Sequence, residues 1–180
     1  MEDYRVTKQR KTIIQKENSF YQKNDYARIN ALKDQLEWIK RQLEYASFST
    51  DYQLRLDVKK GEIYEFDWGV NVNAEFSNRH YGLVLRNSGP YDPLVYVCPL
   101  KTNKKGANPA SDVDLGIIPA LKSDHKTLAV INQARALDKM RIFSKGSIGD
   151  ESLFEREIPT LDEKKMEMVL TALYVFFFSK

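Results

Sequence analysis

The chain of 180 residues carries a formal net charge of +3. Hydrophobic residues make up 42% of the chain and charged residues 29%, a composition that suits a packed core in a soluble protein. A single cysteine, Cys98, excludes an internal disulfide framework and a cysteine-based zinc site, and with two histidines any metal site would depend on carboxylates. No apolar run reaches the roughly 18 to 20 residues that span a bilayer, and no apolar signal segment follows Met1, so we expect a cytoplasmic protein.

Residues 1–60 contain neither glycine nor proline, which favours continuous helix. They hold 13 Lys and Arg against 9 Asp and Glu, so the basic charge belongs to this segment. The basic run Lys8–Lys16 is expected to be a mobile arm, a solvated tail rather than a phosphate contact. An amphipathic helix, which must pack on a partner helix, a second copy or the rest of the chain, is predicted from the stripe Ile29, Leu32, Leu36, Ile39, Leu43 and Ala46. Residues 1–57 are therefore assigned to a helical extension.

From Gly61 onwards the pattern changes to short β-rich runs separated by polar loops. The predicted strands cover residues 62–68, 81–85, 94–100, 113–118 and 128–132. No helix-length insertion lies between them, which disfavours a parallel βαβ sheet and favours a small antiparallel barrel or sandwich. The expected fold class is mainly β with flanking helices.

The end of the chain returns to a helical pattern. Thr160 and Glu163 have the spacing of a capping box, which predicts that the Thr160 side chain caps the helix. The helix is expected to pack on the sheet or on a second subunit through a broad apolar face made of Met166, Val169, Leu170, Leu173, Phe176 and Phe177. Residues 58–180 are assigned to one domain.

Common catalytic signatures are missing from the sequence. It contains no glycine-rich phosphate loop, no zinc-protease motif, no serine-hydrolase elbow and no Cys/His pair with metal-ligand spacing. What remains is a site of Arg, Lys, Thr, His and carboxylate side chains without metal or cofactor, or no active site.

Four segments in order resemble the MazF/PemK toxin family over residues 58–180. Lys60-Gly61-Glu62-Ile63-Tyr64 is followed by Glu75 and by Arg79 ahead of the apolar strand Gly82-Leu83-Val84-Leu85. Val97-Cys98-Pro99-Leu100-Lys101-Thr102 resembles the third strand of the family, and Asn132-Gln133-Ala134-Arg135 to Asp138-Lys139-Met140-Arg141 resembles its Q-x-R-x-x-D-K-x-R segment. A terminal helix that opens on Leu161-Asp162-Glu163 fits as well.

The resemblance implies a small SH3-like barrel of the CcdB/MazF type with a C-terminal helix. It also implies a bacterial or phage-borne homodimeric toxin that cleaves single-stranded RNA without metal or cofactor and is held inactive by an antitoxin protein. In that chemistry a ribose 2′-OH attacks the adjacent phosphate, which requires a proton acceptor, cations for the phosphorane charge and a donor for the leaving 5′ oxygen. Arg79 occupies the arginine position of the family and would hold the phosphate, whereas the alternative is a surface pair with Glu75.

Three positions depart from the family pattern. His80 stands where proline is usual, and it is either a replacement acid or base or a structural histidine. Lys101 stands where a threonine is expected and would stabilise the phosphorane, with Thr102 supplying the hydroxyl from the next position. Asn132 replaces a residue that is often acidic and cannot act as a base. These changes leave open a second function, that of a catalytically inactive binding module or regulator that docks on a protein such as gyrase.

Further residues are candidates for catalysis or RNA binding. Glu75 would orient Arg79 or act as a base, unless it is a solvated carboxylate. Aromatic side chains that would stack unpaired bases, unless they belong to the core, are Tyr81, Phe76 and Trp68. Lys104 and Lys105 would track the phosphates of the RNA, unless they are a solvated lysine pair. Gln133 and Arg135 would contact the RNA, or they would form an architectural network with Asp138 and Arg141. The N-terminal helix would cover the RNA groove in cis or extend the dimer.

Overall fold

The computed structural model describes residues 4–22, 26–47, 54–71, 75–104, 106–121, 123–144, 147–148 and 158–179. The chain forms two compact units, Met1–Ser49 and Thr50–Lys180. The second unit begins ahead of residue 58, where the sequence suggested a boundary, because Leu54 and Leu56 are buried in its core.

The first unit consists of two helices, α1 (Tyr4–Gln22) and α2 (Tyr26–Ser47). The expected mobile arm Lys8–Lys16 is wrong, since these residues form the middle of α1. Ile29 is buried, but further along the predicted stripe of α2 the side chains are largely exposed, as at Leu36, Ile39 and Leu43. None of the helices in the described part of the chain has the length and apolar character needed to cross a membrane.

The second unit is an antiparallel sheet followed by a helix. Its strands are β1 (Ile63–Asp67), β2 (Arg79–Val84), β3 (Leu94–Thr102), β4 (Asp112–Asp114), β5 (Thr127–Val130), β6 (Arg135–Asp138), β7 (Phe143–Ser144) and β8 (Ser147–Ile148), and its helix is α3 (Glu163–Phe178). Single 3₁₀ turns lie at Pro119–Leu121, Ile131–Gln133 and Lys139–Arg141. The predicted class, mainly β with flanking helices, is confirmed.

Six strands form one sheet in the order β1-β2-β3-β5-β4, with β6 also paired to β3, while β7 and β8 form a separate hairpin. The long strand β3 pairs with β2 through residues 97–99, with β6 through 94–97 and with β5 through 100–102. An antiparallel bridge between Phe66 and Ile142 connects β1 to the segment after β6. Across the described strands the sheet is not closed into a barrel, because β1 and β4 stand at the two ends of the path.

The strand predictions were wrong in two places. The predicted strand 113–118 is limited to β4, since the pairing with β5 becomes irregular at the next step: Leu115 and Gly116 both form backbone hydrogen bonds with Thr127, and Gly116 has a positive φ of 67°. The predicted strand 128–132 ends at Val130, where the 3₁₀ turn begins, and the next residues form β6.

The core contains two clusters of buried apolar side chains on the two sides of the bent sheet. One cluster includes Phe66 and Trp68, and the other includes Cys98, which is fully buried. Gly82 on β2 lies against the rings of the first cluster, so that a Cβ there would meet Phe66 Cδ2 at 2.8 Å. Lys139 is also buried, and its ammonium group donates to the carbonyl oxygens of Leu56 (2.8 Å), Ser88 (3.2 Å) and Gly89 (2.6 Å).

Helix α3 begins two residues later than the capping box predicts. The N-cap is Asp162, whose carboxylate accepts a hydrogen bond from the Lys165 amide at 2.9 Å. Thr160 instead forms a β-bridge with Glu62, and its hydroxyl donates to the Ile158 carbonyl oxygen. Met166 and Val169 are buried in the core as predicted, whereas Phe176 and Phe177 are exposed.

Candidate active site

A surface cavity of about 440 Å³ lies where β1, β2 and the end of β3 meet the segment before β5. It brings together six of the predicted site residues, Arg79, His80, Tyr81, Lys101, Thr102 and Lys104. The remaining lining residues are Glu65, Leu100, Leu121, Ser123 and Thr127. The cavity is therefore rich in cationic, hydroxyl and imidazole groups, with one carboxylate.

Arg79 is the first residue of β2, and the turn before it is tightly held. Asn78 has a positive φ of 66°, a conformation that asparagine tolerates better than most residues. Its amide donates to the Gly69 carbonyl oxygen at 2.6 Å, and its own carbonyl oxygen accepts from the Trp68 amide at 2.9 Å. These bonds fix the point at which Arg79 leaves the turn.

The Arg79 guanidinium has two contacts, of which the first is to a residue that also lines the cavity. Its Nη2 donates to Glu65 Oε2 at 3.2 Å, and its central carbon lies 3.8 Å from the centroid of the Phe143 ring. The partner carboxylate is thus Glu65 and not Glu75, which was the alternative from the sequence. The side chain remains 43% exposed, so the cation is accessible from solvent.

Lys101 lies near the end of β3 and is anchored by a buried carboxylate. Its Nζ is 2.8 Å from Asp112 Oδ2, and the Asp112 side chain is only 1% exposed. The same oxygen accepts from the Asn108 amide at 2.7 Å. Burial alone would raise the pKa of Asp112, but hydrogen bonds from Lys101, Asn108 and Ser111 outweigh it and hold this pKa below its ordinary value. The Lys101 charge in the cavity is therefore partly neutralised.

His80 follows Arg79 on β2, and its ring lies edge-on to Phe76 with 4.6 Å between centroids. Partial burial lowers the pKa of His80 below 6.5, against an opposing effect of the nearby Glu65 charge. The lowered pKa favours the neutral imidazole, which is the form that can accept a proton.

Of the predicted site residues that the structure describes, Glu75, Phe76, Gln133 and Arg135 do not line the cavity. The Gln133 side-chain oxygen accepts from the Phe76 amide, which ties the loop before β2 to the turn after β5. Arg135 donates to the Trp68 carbonyl oxygen at 2.9 Å and lies over the Trp68 ring. These contacts fit the architectural alternative, and Lys105 lies outside the described residues.

Base stacking by Trp68 is wrong, because this ring is 1% exposed and packs in the core. Phe76 is half-buried against the same cluster, whereas Tyr81 is exposed at the cavity. Sequence reasoning missed Glu65, which the β1–β2 register places opposite Tyr81. Among the side chains described, no group of three or more His, Cys, Asp and Glu is arranged to hold a metal ion.

Comparisons with known proteins identify a protein family that matches this chain. The model of the PemK-like, MazF-like toxins of type II toxin–antitoxin systems matches residues 59–177. No curated protein sequence matches significantly. A solved structure of MazE–MazF (Form II) from Deinococcus radiodurans is similar at 17% identity and a TM-score of 0.42, over 69% of this chain and 99% of that one.

Proposed function

The chain belongs to the PemK-like, MazF-like toxin family of type II toxin–antitoxin systems, and we propose that it cleaves single-stranded RNA without a metal ion. One observation carries this proposal: Arg79, His80, Lys101 and Thr102 line one open cavity although they come from two separate strands. A guanidinium, a neutral imidazole, an ammonium and a hydroxyl are the groups that phosphodiester transfer requires.

The proposed reaction is attack of a ribose 2′-OH on the adjacent phosphorus. His80 takes the 2′ proton, a 2′,3′-cyclic phosphate forms, and the bond from phosphorus to the 5′ oxygen breaks. Arg79 binds the phosphate oxygens, since a guanidinium forms paired hydrogen bonds with a phosphate. Lys101 adds positive charge where the phosphorane forms, and Thr102 donates a hydrogen bond towards the leaving oxygen. That oxygen takes a proton from solvent water and departs as the 5′-OH, while the protonated His80 returns its proton to solvent.

Groups at the edge of the cavity are proposed to hold the RNA on either side of the scissile bond. The Tyr81 ring is 41% exposed and offers a surface on which an unpaired base stacks. Lys104 is exposed at the same cavity and is suited to a neighbouring phosphate. We also propose, from the family, a homodimer that works in the cytoplasm and is inhibited by an antitoxin protein.

The test is a digest of a long single-stranded RNA by the purified full-length protein in EDTA, with mapping of the new ends. We expect upstream fragments that end in a cyclic phosphate. Arg79→Ala should lower cleavage at least about 100-fold, as expected when a group that stabilises the developing charge is removed. The matched control is Arg86→Ala, because Arg86 is an exposed arginine paired with Asp92 outside the cavity. Cleavage that survives in Arg79→Ala would refute the site assignment.

A second candidate is a non-catalytic binding module on the same fold, and the Lys101–Asp112 pair favours it. An ammonium that is bound to a buried carboxylate at 2.8 Å is a weaker substitute for the expected threonine hydroxyl. Growth arrest on expression, with an unchanged RNA pool and no cleavage at high protein concentration, would support this candidate over the nuclease.

A further inference from the structure

Glu65 is the one carboxylate that lines the described part of the cavity. It lies in the middle of β1, opposite Tyr81 of β2, and its side chain is 38% exposed. Its Oε2 accepts a hydrogen bond from Arg79 Nη2 at 3.2 Å. Arg79 lies two residues before Tyr81 on β2 and is therefore the diagonal cross-strand neighbour of Glu65.

The Arg79 side chain is long and would sample many rotamers if it had no partner. Here one edge of the guanidinium is bound by Glu65, and one face lies on the Phe143 ring at 3.8 Å. Phe143 is itself buried, so it provides a fixed surface. The two contacts come from β1 and β7, neither of which is the strand that carries Arg79.

Resting on the proposed function, we propose that Glu65 is a positioning residue that holds the Arg79 guanidinium against Phe143 in the orientation that binds the scissile phosphate. The Glu65 contact uses an Nη2 donor, and the guanidinium has five N–H donors in a rigid plane. Because the plane is rigid, fixing one edge and one face also fixes the directions of the other donors. The carboxylate therefore acts through Arg79 and not on the RNA.

The first test is a double-mutant cycle on RNA cleavage with Glu65→Ala, Arg79→Ala and the double variant. We expect Glu65→Ala to lower kcat about tenfold with KM changed less than about twofold, and the double variant to match Arg79→Ala. Glu65→Gln, which keeps an oxygen acceptor, should recover part of the rate. The matched control is Asp114→Asn. Asp114 forms a similarly exposed ion pair with Lys126, with 3.0 Å between Oδ2 and Nζ, and neither residue lines the cavity.

Two results of this cycle would overturn the proposal. In one, the Glu65 and Arg79 effects multiply in the double variant, which means that Glu65 acts independently of Arg79. In the other, Glu65→Ala cleaves at the wild-type rate.

The second test needs no RNA and uses NMR of the full chain. Side-chain protons of Arg79 above the Phe143 ring should show an upfield ring-current shift that is lost in Glu65→Ala and kept in Asp114→Asn. If the wild type does not cleave RNA, the proposed function fails, and this shift alone decides the proposal: its persistence in Glu65→Ala overturns it.

The His80 side chain gives a further readout of the same substitution. Arg79, Lys101 and Lys104 are the cations at the cavity with His80, and Glu65 is the charge that opposes the burial effect on the His80 pKa. Glu65→Gln should therefore lower the His80 pKa further. An unchanged His80 pKa would show that the Glu65 charge does not reach the site.

Discussion

Replacing Gly82 by alanine tests how tightly the sheet under the cavity is packed. An added Cβ would lie 2.8 Å from Phe66 Cδ2 and 3.2 Å from Trp68 Cζ2, both closer than normal carbon contacts. Neither ring can move aside easily, because Phe66 and Trp68 are fully buried and pack edge to face, with 6.2 Å between their ring centroids. The clash must therefore shift the backbone of β1 relative to β2.

Overpacking of this kind costs about 1 to 3 kcal/mol of unfolding free energy. The reduced flexibility of the unfolded chain returns about 0.4 to 1 kcal/mol when glycine becomes alanine. We therefore expect a net loss of about 1 to 2 kcal/mol, which lowers the Tm of a unit of this size by roughly 3 to 12 °C.

The assay is calorimetric or urea unfolding of the full-length protein, with Gly89→Ala as the matched control. A Cβ at Gly89 has no neighbour within 4 Å, so the same substitution there should leave the Tm unchanged or slightly raised. Equal Tm values for the two variants would refute the reasoning, because the added Cβ is crowded at Gly82 and has no close neighbour at Gly89.

Three other substitutions test particular contacts. Lys139→Met should cost about 1 to 3 kcal/mol in urea unfolding, because three backbone carbonyls lose a charged donor, whereas exposed Lys126→Met should change stability by less than about 0.5 kcal/mol. The pKa of Asp112 in the folded protein lies below its unfolded value of 3.8. The stability that the Asp112 carboxylate contributes is therefore present above that pH and is lost as the pH falls through the folded pKa. Asp112→Asn should therefore flatten the loss of Tm below about pH 4, and a profile parallel to wild type would contradict the ion pair. Asp162→Ala should lower the Tm more than Thr160→Ala, and the reverse order would restore the capping box.

Sequence reasoning reached the fold class because periodicity and the placement of glycine and proline are local signals. The change from helix to strand at Gly61 and the terminal helix both follow from such signals. The cap of that helix did not, since Thr160 and Asp162 are both good capping residues. A long-range bridge from Thr160 to Glu62 decides between them.

The site was predictable in part for the same reason. Arg79, Lys101 and Thr102 could be located from motifs along the chain, and the antiparallel pairing of β2 with β3 brings them to one cavity. The partner of Arg79 could not be located in this way, because Glu65 approaches it only through the register of the β1–β2 hairpin. The buried Lys139 also escaped prediction, since its three acceptors come from segments remote in sequence.

The complete burial of Cys98 makes this residue a built-in reporter of core opening. Burial raises the pKa of its thiol to about 12, so very little of the reactive thiolate is present at neutral pH even before steric exclusion is considered. As the sole cysteine of the chain, it has no competitor for an alkylating reagent. The rate at which such a reagent modifies the native protein therefore reports how readily β3 separates from β2 and β6, without any engineered label.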